Sequence, residues 1–305
     1  MSAPSPYATL VAGTPVREAT AAVLGGDTHY WDYGPADAPL TIVAVHGFRG
    51  DHHGLEALVV QFSGIRIISP DLPGFGDTAP IAGRVHDIDL YAEWLEAFVT
   101  ALALPTNPIV LGHSFGSIVV SAAIARGLDP ASVILINPIA APALQGPKAA
   151  LTQLAVFYYW MGAKLPKGVG GALMGSPVVT RGISVGMATT KDKALRRWIH
   201  DQHHTYFNRF FDRDTLLDGF RASTGNNVIQ FASKITQPTL LIAAANDPIT
   251  KVSDEEKLRD LLPNATLHVL PDVGHLIHYE RPREAAQLIV EFLGVGSLAA
   301  EIAAS

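Results

Sequence analysis

The stretch Leu111-Gly112-His113-Ser114-Phe115-Gly116-Ser117 decides the fold that the sequence predicts. A short apolar run of strand type precedes it at residues 107–111, and residues 118–125 are apolar and long enough for a buried helix. Gly112 and Gly116 flank Ser114 in the spacing G-x-S-x-G, which lets a strand and a helix approach closely. We therefore expect a sharp strand-to-helix turn that exposes the Ser114 hydroxyl. A motif of five residues also arises by chance around an ordinary serine, so its chemistry depends on the rest of the chain.

Strands and helices alternate on both sides of this turn. Apolar runs rich in β-branched residues predict strands at residues 40–45, 65–69, 132–136, 239–244 and 266–270. Helices are predicted at residues 54–62, 86–103 and 253–262, and a closing helix from Pro282. An antiparallel hairpin across Gly25-Gly26 is predicted for residues 16–24 and 28–33. The alternation indicates an α/β protein with a doubly wound, mostly parallel β-sheet and helices on both faces.

Residues 139–235 break this alternation. Helical stretches at residues 151–161 and 198–211 alternate with glycine-rich loops, without a convincing strand pattern. This predicts a helical cap (residues 139–235) inserted into a core domain made of residues 1–138 and 236–305. Residues 157–161 are too apolar for a solvated helix, so we expect most of them to pack inside the cap and the others to line a pocket. Residues 298–305 are expected to form a frayed tail.

Charge is distributed unevenly along the chain. The 305 residues carry a net charge of −6, whereas residues 140–235 contain 12 Lys or Arg and 5 Asp or Glu, a balance of +7. Three interpretations of this basic segment stay open: docking on the acidic core, attraction of an anionic substrate to Arg196, Arg197 or Arg209, and contact with an acidic membrane surface. The acidic total argues against a general nucleic-acid binder, which needs a basic face against phosphate.

Composition narrows the class of protein further. Hydrophobic residues make up 48% and charged residues 16% of the chain, as in a globular protein with a buried sheet. Cysteine is absent, which excludes disulfides, thiolate nucleophiles and cysteine-metal sites and suits a reducing compartment. The sequence shows no pattern of a secretory signal and no apolar run of about 18 residues. We expect a soluble, cytoplasmic protein without a membrane span, and the sequence is compatible with a monomer or a homodimer.

Residues that directly follow the predicted strands carry the candidate chemistry, because ligands of open α/β sheets bind beyond the carboxyl ends of the strands. They are His46-Gly47-Phe48, Ser114, Asp247 and His275. Ser, Asp and His occur in the chain order expected for a serine on such a turn. His275 would accept the Ser114 proton, and Asp247 would orient the His275 ring. Backbone N–H groups of Phe48 and Phe115 would bind an oxyanion.

The sequence resembles the α/β-hydrolase superfamily. The resemblance rests on His46-Gly47-Phe48, residues 70–76, the serine turn from Gly112 to Gly116, Asp247 and Val273-Gly274-His275. The resemblance covers residues 41–137 and 238–293 and implies an α/β-hydrolase fold and a hydrolase that needs no cofactor. Relatives that dehalogenate haloalkanes or open epoxides carry aspartate at the position of Ser114, so these reactions are disfavoured. Residues 46–51 also lack the Ser/Gly/Pro-rich loop of relatives that cleave carbon–carbon bonds. Ser117 stands where relatives often have a second glycine, a small departure.

Other residues compete for two of these roles. His278 lies three positions beyond His275, but the base of relatives directly follows Val-Gly or its equivalent. Asp254 and Asp272 compete with Asp247, whose position directly after a predicted strand favours it. We therefore keep His275 and Asp247 as the predicted base and acid.

Two adjacent histidine pairs, His52-His53 and His203-His204, raise the question of a metal site. Neighbouring residues on a helix point to different faces, and neither pair has partners at metal-ligand spacing in the sequence, so neither a metal nor a cofactor is predicted. His113 is expected to be a packing and hydrogen-bonding residue, and Asp71 is expected to cap its own loop.

The sequence thus predicts a serine hydrolase that cleaves a carboxylic ester or a related small acyl compound through an acyl-Ser114 intermediate. We expect the partner to be a small-molecule substrate, an apolar ester, and not a nucleic acid. Two alternatives stay open: hydrolysis of a carbon–carbon bond or perhydrolysis with the same three residues, and a small-molecule receptor without catalysis. The complete set of Ser114, Asp247 and His275 disfavours the receptor, because binding alone does not require all three.

Overall fold

A computed structural model of the chain describes residues 3–142, 149–294 and 297–298. The strands are β1 (Val16–Val23), β2 (Gly26–Tyr33), β3 (Thr41–Val45), β4 (Phe62–Ser63), β5 (Arg66–Pro70), β6 (Ile109–His113), β7 (Ser132–Ile136), β8 (Thr239–Ala244), β9 (Ala265–Leu270) and β10 (Ser297–Leu298). The helices are α1 (Ala8–Gly13), α2 (His53–Val59), α3 (Ile88–Ala101), α4 (Phe115–Arg126), α5 (Ala149–Lys164), α6 (Lys167–Met174), α7 (Pro177–Met187), α8 (Lys193–Tyr206), α9 (Arg213–Gly225), α10 (Val252–Leu261), α11 (Ile277–Glu280) and α12 (Pro282–Leu293), with a 3₁₀-helix at Val228–Lys234.

Eight strands form one sheet in the order β1-β2-β5-β3-β6-β7-β8-β9. β2 is antiparallel to both β1 and β5, and the other neighbouring pairs are parallel. The predicted mostly parallel sheet with an antiparallel edge is confirmed. β4 and β10 form a separate antiparallel pair, so Leu298 belongs to a strand and not to a frayed tail. Residues 299–305 of that predicted tail lie outside the described residues.

The hairpin of β1 and β2 turns at Leu24-Gly25 and not at the predicted Gly25-Gly26. Backbone φ is 51° at Leu24 and 80° at Gly25, while Gly26 already pairs with Val23. Positive φ at both central residues is the requirement of the two-residue turn that matches the twist of antiparallel strands. Leu24 adopts this conformation despite its side chain.

The central strands β3, β5, β6, β7 and β8 are buried on both faces, which explains why they are almost continuously apolar. Val43 and Val45 of β3 pack in the cluster that includes side chains of α3 and α4. Ile42 and Ala44 of the same strand pack in a second cluster with α2 and α12. Because successive side chains of a strand point to opposite faces, one apolar run supplies both clusters. The predicted helices on both faces of the sheet are confirmed.

Helices α5 to α9 and the 3₁₀-helix lie between β7 and β8. The described residues of this insertion contain no strand apart from a single bridge between Phe210 and Phe75 of the core. The helix predicted at residues 198–211 ends at Tyr206, because residues 209–211 run along residues 74–76 instead. There Gly76 N–H donates to the Arg209 carbonyl oxygen at 2.8 Å, and Phe211 N–H donates to the Gly74 carbonyl oxygen at 3.1 Å. Among the described residues, no helix has the length and apolar character that crossing a membrane requires.

Candidate active site

Ser114 stands on a strained turn between β6 and α4. Its backbone has φ 54° and ψ −119°, a conformation that L-residues rarely adopt, and its N–H donates to the Ile136 carbonyl oxygen at 3.1 Å. A Cβ atom on Gly112 would lie 2.5 Å from the Gly116 carbonyl oxygen, and one on Gly116 would overlap the Val45 carbonyl oxygen. The close approach of strand and helix therefore requires glycine at both positions.

The structure brings Ser114, Asp247 and His275 together. His275 Nε2 lies 2.8 Å from Ser114 Oγ, and His275 Nδ1 lies 2.8 Å from Asp247 Oδ2. Asp247 Oδ1 accepts from the N–H groups of Ile249 at 2.7 Å and Thr250 at 3.3 Å. Because a carboxylate can only accept, His275 Nδ1 donates to Asp247, and Nε2 is left to accept from the Ser114 hydroxyl.

The pKa values of two neighbouring carboxyl groups shift in opposite directions here. Burial raises the pKa of Asp247, but the charge and hydrogen bond of His275 and two backbone N–H groups outweigh it, so the pKa is lowered and Asp247 is ionised at neutral pH. Glu255 on α10 is buried, and its Oε2 has no hydrogen-bond partner among the described residues. Burial, followed by the charges of Asp247 and Asp254, raises the pKa of Glu255 well above 4.5. Burial and the two neighbouring carboxylates therefore disfavour the ionised form of Glu255.

Asn137 is a site residue that the sequence analysis missed. It directly follows β7, and its Nδ2 donates to Asp247 Oδ2 at 2.8 Å, the same oxygen that accepts from His275. Its own N–H donates to the Ile242 carbonyl oxygen at 2.8 Å and ties it to β8. Its position directly after a predicted strand is the signal that would have identified it.

The backbone of Gly47 and Phe48 follows β3 and lies beside the Ser114 turn. A Cβ atom on Gly47 would lie 3.3 Å from Ser114 Cβ, so a larger residue would crowd the turn. Phe115 is the first residue of α4, where backbone N–H groups have no partner within the helix. The residues predicted to donate to an oxyanion thus belong to the two backbone segments that adjoin Ser114.

His46 anchors the loop that carries Gly47 and Phe48. Its Nε2 lies 2.9 Å from Leu72 N, and its Nδ1 lies 2.8 Å from the Gly47 carbonyl oxygen. Because a backbone N–H only donates, Nε2 accepts and Nδ1 donates to the carbonyl. Burial lowers the pKa of His46 below 6.5, which keeps this ring neutral. Both ring nitrogens of His46 are therefore used in holding the loop.

The competing residues occupy other environments. The Ser114 hydroxyl contacts His275, and the ring of His278 lies against His113 with 4.1 Å between centroids. Burial, followed by the neighbouring histidines, lowers the pKa of His278 well below 6.5, and burial lowers the pKa of His113 to about 3. Asp272 is exposed, and Asp254 pairs with a lysine one helical turn away.

A cavity of about 300 Å³ opens at the Ser114 turn. Ser114, His113 and His275 contribute to its wall. The rest of the wall is mostly apolar or aromatic and includes Phe48, Leu55, Tyr159, Ile183, Phe207 and Phe220. Arg49 is the one lining residue with a permanent charge among the described residues.

Arg49 was not predicted as a site residue either, although it directly follows Phe48. Its side chain is buried and donates to four acceptors of the insertion. Nε donates to the Phe207 carbonyl oxygen at 3.1 Å, and Nη1 donates to the Tyr159 hydroxyl at 3.2 Å. Nη2 donates to the Met174 carbonyl oxygen at 3.0 Å and to Asn208 Oδ1 at 2.6 Å. All four acceptors are neutral, so Arg49 joins the core loop to the insertion through hydrogen bonds.

One cluster of metal-ligand type requires a correction. Ligand atoms of Asp51, His52 and His53 lie within 4.8 Å of one another, so the pair His52-His53 does have a carboxylate partner, its direct neighbour Asp51. The Asp51 carboxylate is already used: Oδ2 lies 3.1 Å from Arg209 Nη1, and Oδ1 accepts from His53 N–H at 3.0 Å. His52 Nδ1 in turn lies 2.9 Å from Asp71 Oδ1. The arginine cation thus already pairs with the carboxylate of this cluster.

The three arginines proposed to attract an anionic substrate do not line the Ser114 cavity among the described residues. Arg209 pairs with Asp51 and Asp77 of the core. Arg196 donates to a backbone carbonyl within the insertion, and Arg197 lines a separate surface groove. The ion pairs of Arg209 favour the interpretation in which the basic segment docks on the acidic core.

The fold and the site define a class of protein: an α/β enzyme with a serine on a tight strand-to-helix turn, contacting a buried histidine and facing an apolar cavity. The chain belongs to the alpha/beta hydrolase family, whose model matches residues 42–288. It is therefore an enzyme of the α/β hydrolase class.

Individual relatives carry different activities in their names. The chain is 26% identical to 2-hydroxy-6-oxononadienedioate/2-hydroxy-6-oxononatrienedioate hydrolase 2 of Pseudomonas putida, over 87% of this chain and 91% of that protein. It is 27% identical to the non-heme chloroperoxidase of Burkholderia pyrrocinia, over 81% of this chain and 88% of that protein. The structure superimposes on an esterase from Exiguobacterium antarcticum with a TM-score of 0.73 and 16% identity, covering 92% of this chain and 100% of that one, which shows a shared fold.

Proposed function

We propose that the protein is a serine hydrolase that cleaves a carboxylic ester, or a related small acyl compound, through an acyl intermediate on Ser114. The observation that carries the proposal is the contact from Ser114 Oγ through the His275 ring to the ionised Asp247, with 2.8 Å at each step. A neutral imidazole oriented by a buried carboxylate is suited to accept a serine proton.

The reaction proceeds in two halves. His275 Nε2 accepts the Ser114 proton while Oγ attacks the carbonyl carbon of the ester. The bond to the alcohol oxygen then breaks, and Nε2 returns the proton to the departing alcohol. Water next gives a proton to Nε2 and attacks the acyl carbon, the bond to Oγ breaks, Oγ regains a proton and the carboxylic acid leaves. Asp247 stays ionised throughout and stabilises the imidazolium.

Backbone donors stabilise the negative oxygen of the tetrahedral intermediates. We assign this role to the N–H groups of Phe48 and Phe115, because both lie on the segments that adjoin Ser114. The N-terminal end of α4 adds a favourable dipole at the same place. His46 supports the donors indirectly by holding the Gly47 carbonyl oxygen.

The insertion acts as a cap over the reaction. Tyr159, Ile183, Phe207 and Phe220 of the insertion line the same cavity as Ser114, which supports a division into a cap at residues 139–235 and a core at residues 1–138 and 236–305. Their apolar surface favours an uncharged, apolar acyl or alcohol group. The cytoplasmic location and a homodimer stay predictions from the sequence.

Carbon–carbon bond hydrolysis is the second candidate. The similarity to the Pseudomonas putida hydrolase, named for an oxo dicarboxylate, favours it. The similarity to the chloroperoxidase is the reason to keep perhydrolysis among the candidate reactions. All three reactions begin at a carbonyl carbon, so product analysis has to separate them.

The test compares p-nitrophenyl esters of increasing acyl length with a 2-hydroxy-6-oxodienoate and with acetate plus peroxide. We expect turnover of the esters by the wild type, and an acyl adduct on the peptide that contains Ser114 after acid quenching. Ser114→Ala should lower kcat by about 10³-fold or more. Ser121→Ala is the matched control, because Ser121 lies on α4 and bonds only within that helix in the described structure.

Each of the other outcomes would indicate a different function or a different nucleophile. Preferential cleavage of the dienoate would make carbon–carbon bond hydrolysis the main reaction. Oxidation products formed only with peroxide would indicate perhydrolysis. An adduct that persists in Ser114→Ala contradicts the nucleophile, and binding of the esters without any turnover would support the receptor.

A further inference from the structure

The two faces of α5 have opposite environments. Ala155 and Tyr159 line the Ser114 cavity, and Gly162 packs against Met174 of α6. At 3.6 residues per turn, these three positions of α5 share one side of the helix. This inner face is therefore part of the cap interior.

The outer face of α5 is apolar and exposed. Val156, Phe157 and Trp160 lie on this face, and Phe157 and Trp160 are 51% and 54% exposed. Their rings stack with 5.8 Å between centroids. The expectation that residues 157–161 mostly pack inside the cap is therefore wrong for Phe157 and Trp160, while Tyr159 is buried and the other two are half-buried.

The exposed apolar surface continues beyond the end of α5. Leu165 and Val169 are exposed, and so are Lys164 and Lys167 in the same segment. Lys167 contacts Asp214 at 2.6 Å, yet 79% of its side chain is exposed. We call the exposed apolar residues of this region and its two lysines the α5 surface, which comprises Leu154, Val156, Phe157, Trp160, Lys164, Leu165, Lys167 and Val169.

Acidic residues are missing from this part of the chain. Residues 130–191 contain no Asp or Glu and five Lys or Arg. An apolar surface with aromatic side chains and flanking lysines has the chemistry that binds an anionic lipid interface, and Asp214, from outside this stretch, pairs with Lys167. A helix that is apolar on all sides is normally covered on all sides, and the outer face of α5 is uncovered among the described residues.

We infer that the α5 surface docks on a bilayer that contains anionic phospholipid. Phe157 and Trp160 enter the boundary between headgroups and acyl chains, and Lys164 and Lys167 face the phosphates. Because the inner face of the same helix lines the Ser114 cavity, docking places this cavity next to the lipid. Binding itself does not depend on the proposed hydrolysis.

A second copy of the chain is the competing occupant. A two-fold contact through the α5 surface would bring the same residues together from both copies. Lys164 and Lys167 of one copy would then approach those of the other, with Asp214 as the carboxylate beside Lys167, and like charges oppose such a contact. An anionic bilayer complements the same charges, which is why the lipid is the occupant we choose.

The experiment measures sedimentation of the full-length protein with vesicles. Phosphatidylcholine vesicles are compared with vesicles of equal parts phosphatidylcholine and phosphatidylglycerol at about 0.1 M salt. We expect binding at least about tenfold stronger to the anionic vesicles, and a loss of about tenfold or more in the double variant Phe157→Ser/Trp160→Ser. Leu261→Ser is the matched control, because Leu261 is 52% exposed at the end of α10, on the core.

Tryptophan fluorescence gives a second readout. Trp94 and Trp198 are buried and Trp31 is half-buried, so Trp160 is the most exposed of the four tryptophans. We expect a blue shift with anionic vesicles that disappears in Trp160→Phe. Ser114→Ala should bind as the wild type does, so loss of activity and loss of docking are measured separately.

Three results would overturn the inference. One is the absence of binding to both kinds of vesicle. The second is an equal loss of binding in Leu261→Ser and in the double variant. The third is a wild-type dimer in sedimentation equilibrium that the double variant converts to a monomer, which would assign the surface to a second copy.

Discussion

At the scale of single residues, His275 and His278 differ in what surrounds them. Both are buried, but only His275 has a carboxylate on one ring nitrogen and the Ser114 hydroxyl on the other. Nδ1 of His278 has no hydrogen-bond partner among the described residues, and its pKa is lowered well below 6.5 by burial and by neighbouring histidines. The two histidines lie three positions apart and have different environments.

We predict that His275→Gln lowers kcat by about 10³-fold or more, whereas His278→Gln preserves the pH profile of kcat/KM. The physical reason is that the Ser114 hydroxyl contacts His275, while burial, followed by the neighbouring histidines, lowers the pKa of His278 well below 6.5. The measurement is kcat/KM for one ester between pH 5 and 9. If His278→Gln shifts the acid limb and His275→Gln does not, the two roles are reversed.

At the scale of elements, Arg49 connects the loop after β3 to the insertion. Its backbone φ of 64° is left-handed and costs conformational energy for a side chain of this kind. The four hydrogen bonds of its guanidinium to α5, to the end of α6 and to the segment after α8 hold it in place. Because Phe48 directly precedes Arg49, the position of the insertion and the position of the Phe48 N–H are coupled.

Arg49→Met is therefore expected to lower kcat by about tenfold or more, since it removes the hydrogen bonds that fix the loop carrying the Phe48 N–H, the proposed oxyanion donor. Arg49→Lys should lose less, because it keeps the charge but not the fork of donors. Arg221→Met on α9 is the control, because Arg221 is exposed and pairs only with Asp218 in the described structure. Steady-state kinetics and thermal unfolding are measured together. A lower Tm with unchanged kcat would leave Arg49 with a structural role alone.

At the scale of the whole molecule, one buried carboxylate joins three strands at the antiparallel edge. Asp32 on β2 lies 2.9 Å from Arg66 Nε on β5 and 2.9 Å from Arg17 Nη2 on β1. Burial raises the pKa of Asp32, but the hydrogen bonds from Arg66 and Arg17 outweigh it, and the pKa is lowered below 3.8. The folded protein therefore binds this proton less readily than the unfolded chain does.

We predict that Asp32→Asn lowers the free energy of unfolding by about 1–3 kcal/mol at pH 7. Because the folded pKa is depressed, the contribution of Asp32 is fully present above the unfolded pKa of about 3.9 and is lost as pH falls through the folded pKa. The free energies of unfolding of the wild type and of Asp32→Asn, measured with urea at pH 7, 5, 4 and 3, should converge only at the acid end. Asp37→Asn, at an exposed loop position, is the control. A difference in the free energy of unfolding between the wild type and Asp32→Asn that does not change with pH would contradict the ionic contribution of Asp32.

Much of the fold was predictable because its signals are local. The β-branched runs at residues 40–45 and 239–244 are continuous, since both faces of these strands are buried, and such runs identify strands of a parallel sheet. The hairpin turn was misplaced by one residue, because Leu24 adopts a positive φ that sequence rules assign to glycine. The pairing of Leu298 with Phe62 joins positions far apart in the chain, and no local pattern indicates such a contact.

The order of the candidate catalytic residues could be read from local patterns in the sequence: a serine between two glycines, then Asp247, then His275, each after a predicted strand. Three features became visible only in the folded chain: Asn137 donates to an oxygen of Asp247, Arg49 holds the insertion, and Phe157 and Trp160 face outward. The physical reason is that backbone conformation depends on neighbours in the chain, whereas a side chain's partners depend on segments brought together from elsewhere. The sequence of an apolar helix looks the same whether another segment covers the helix surface or leaves it exposed.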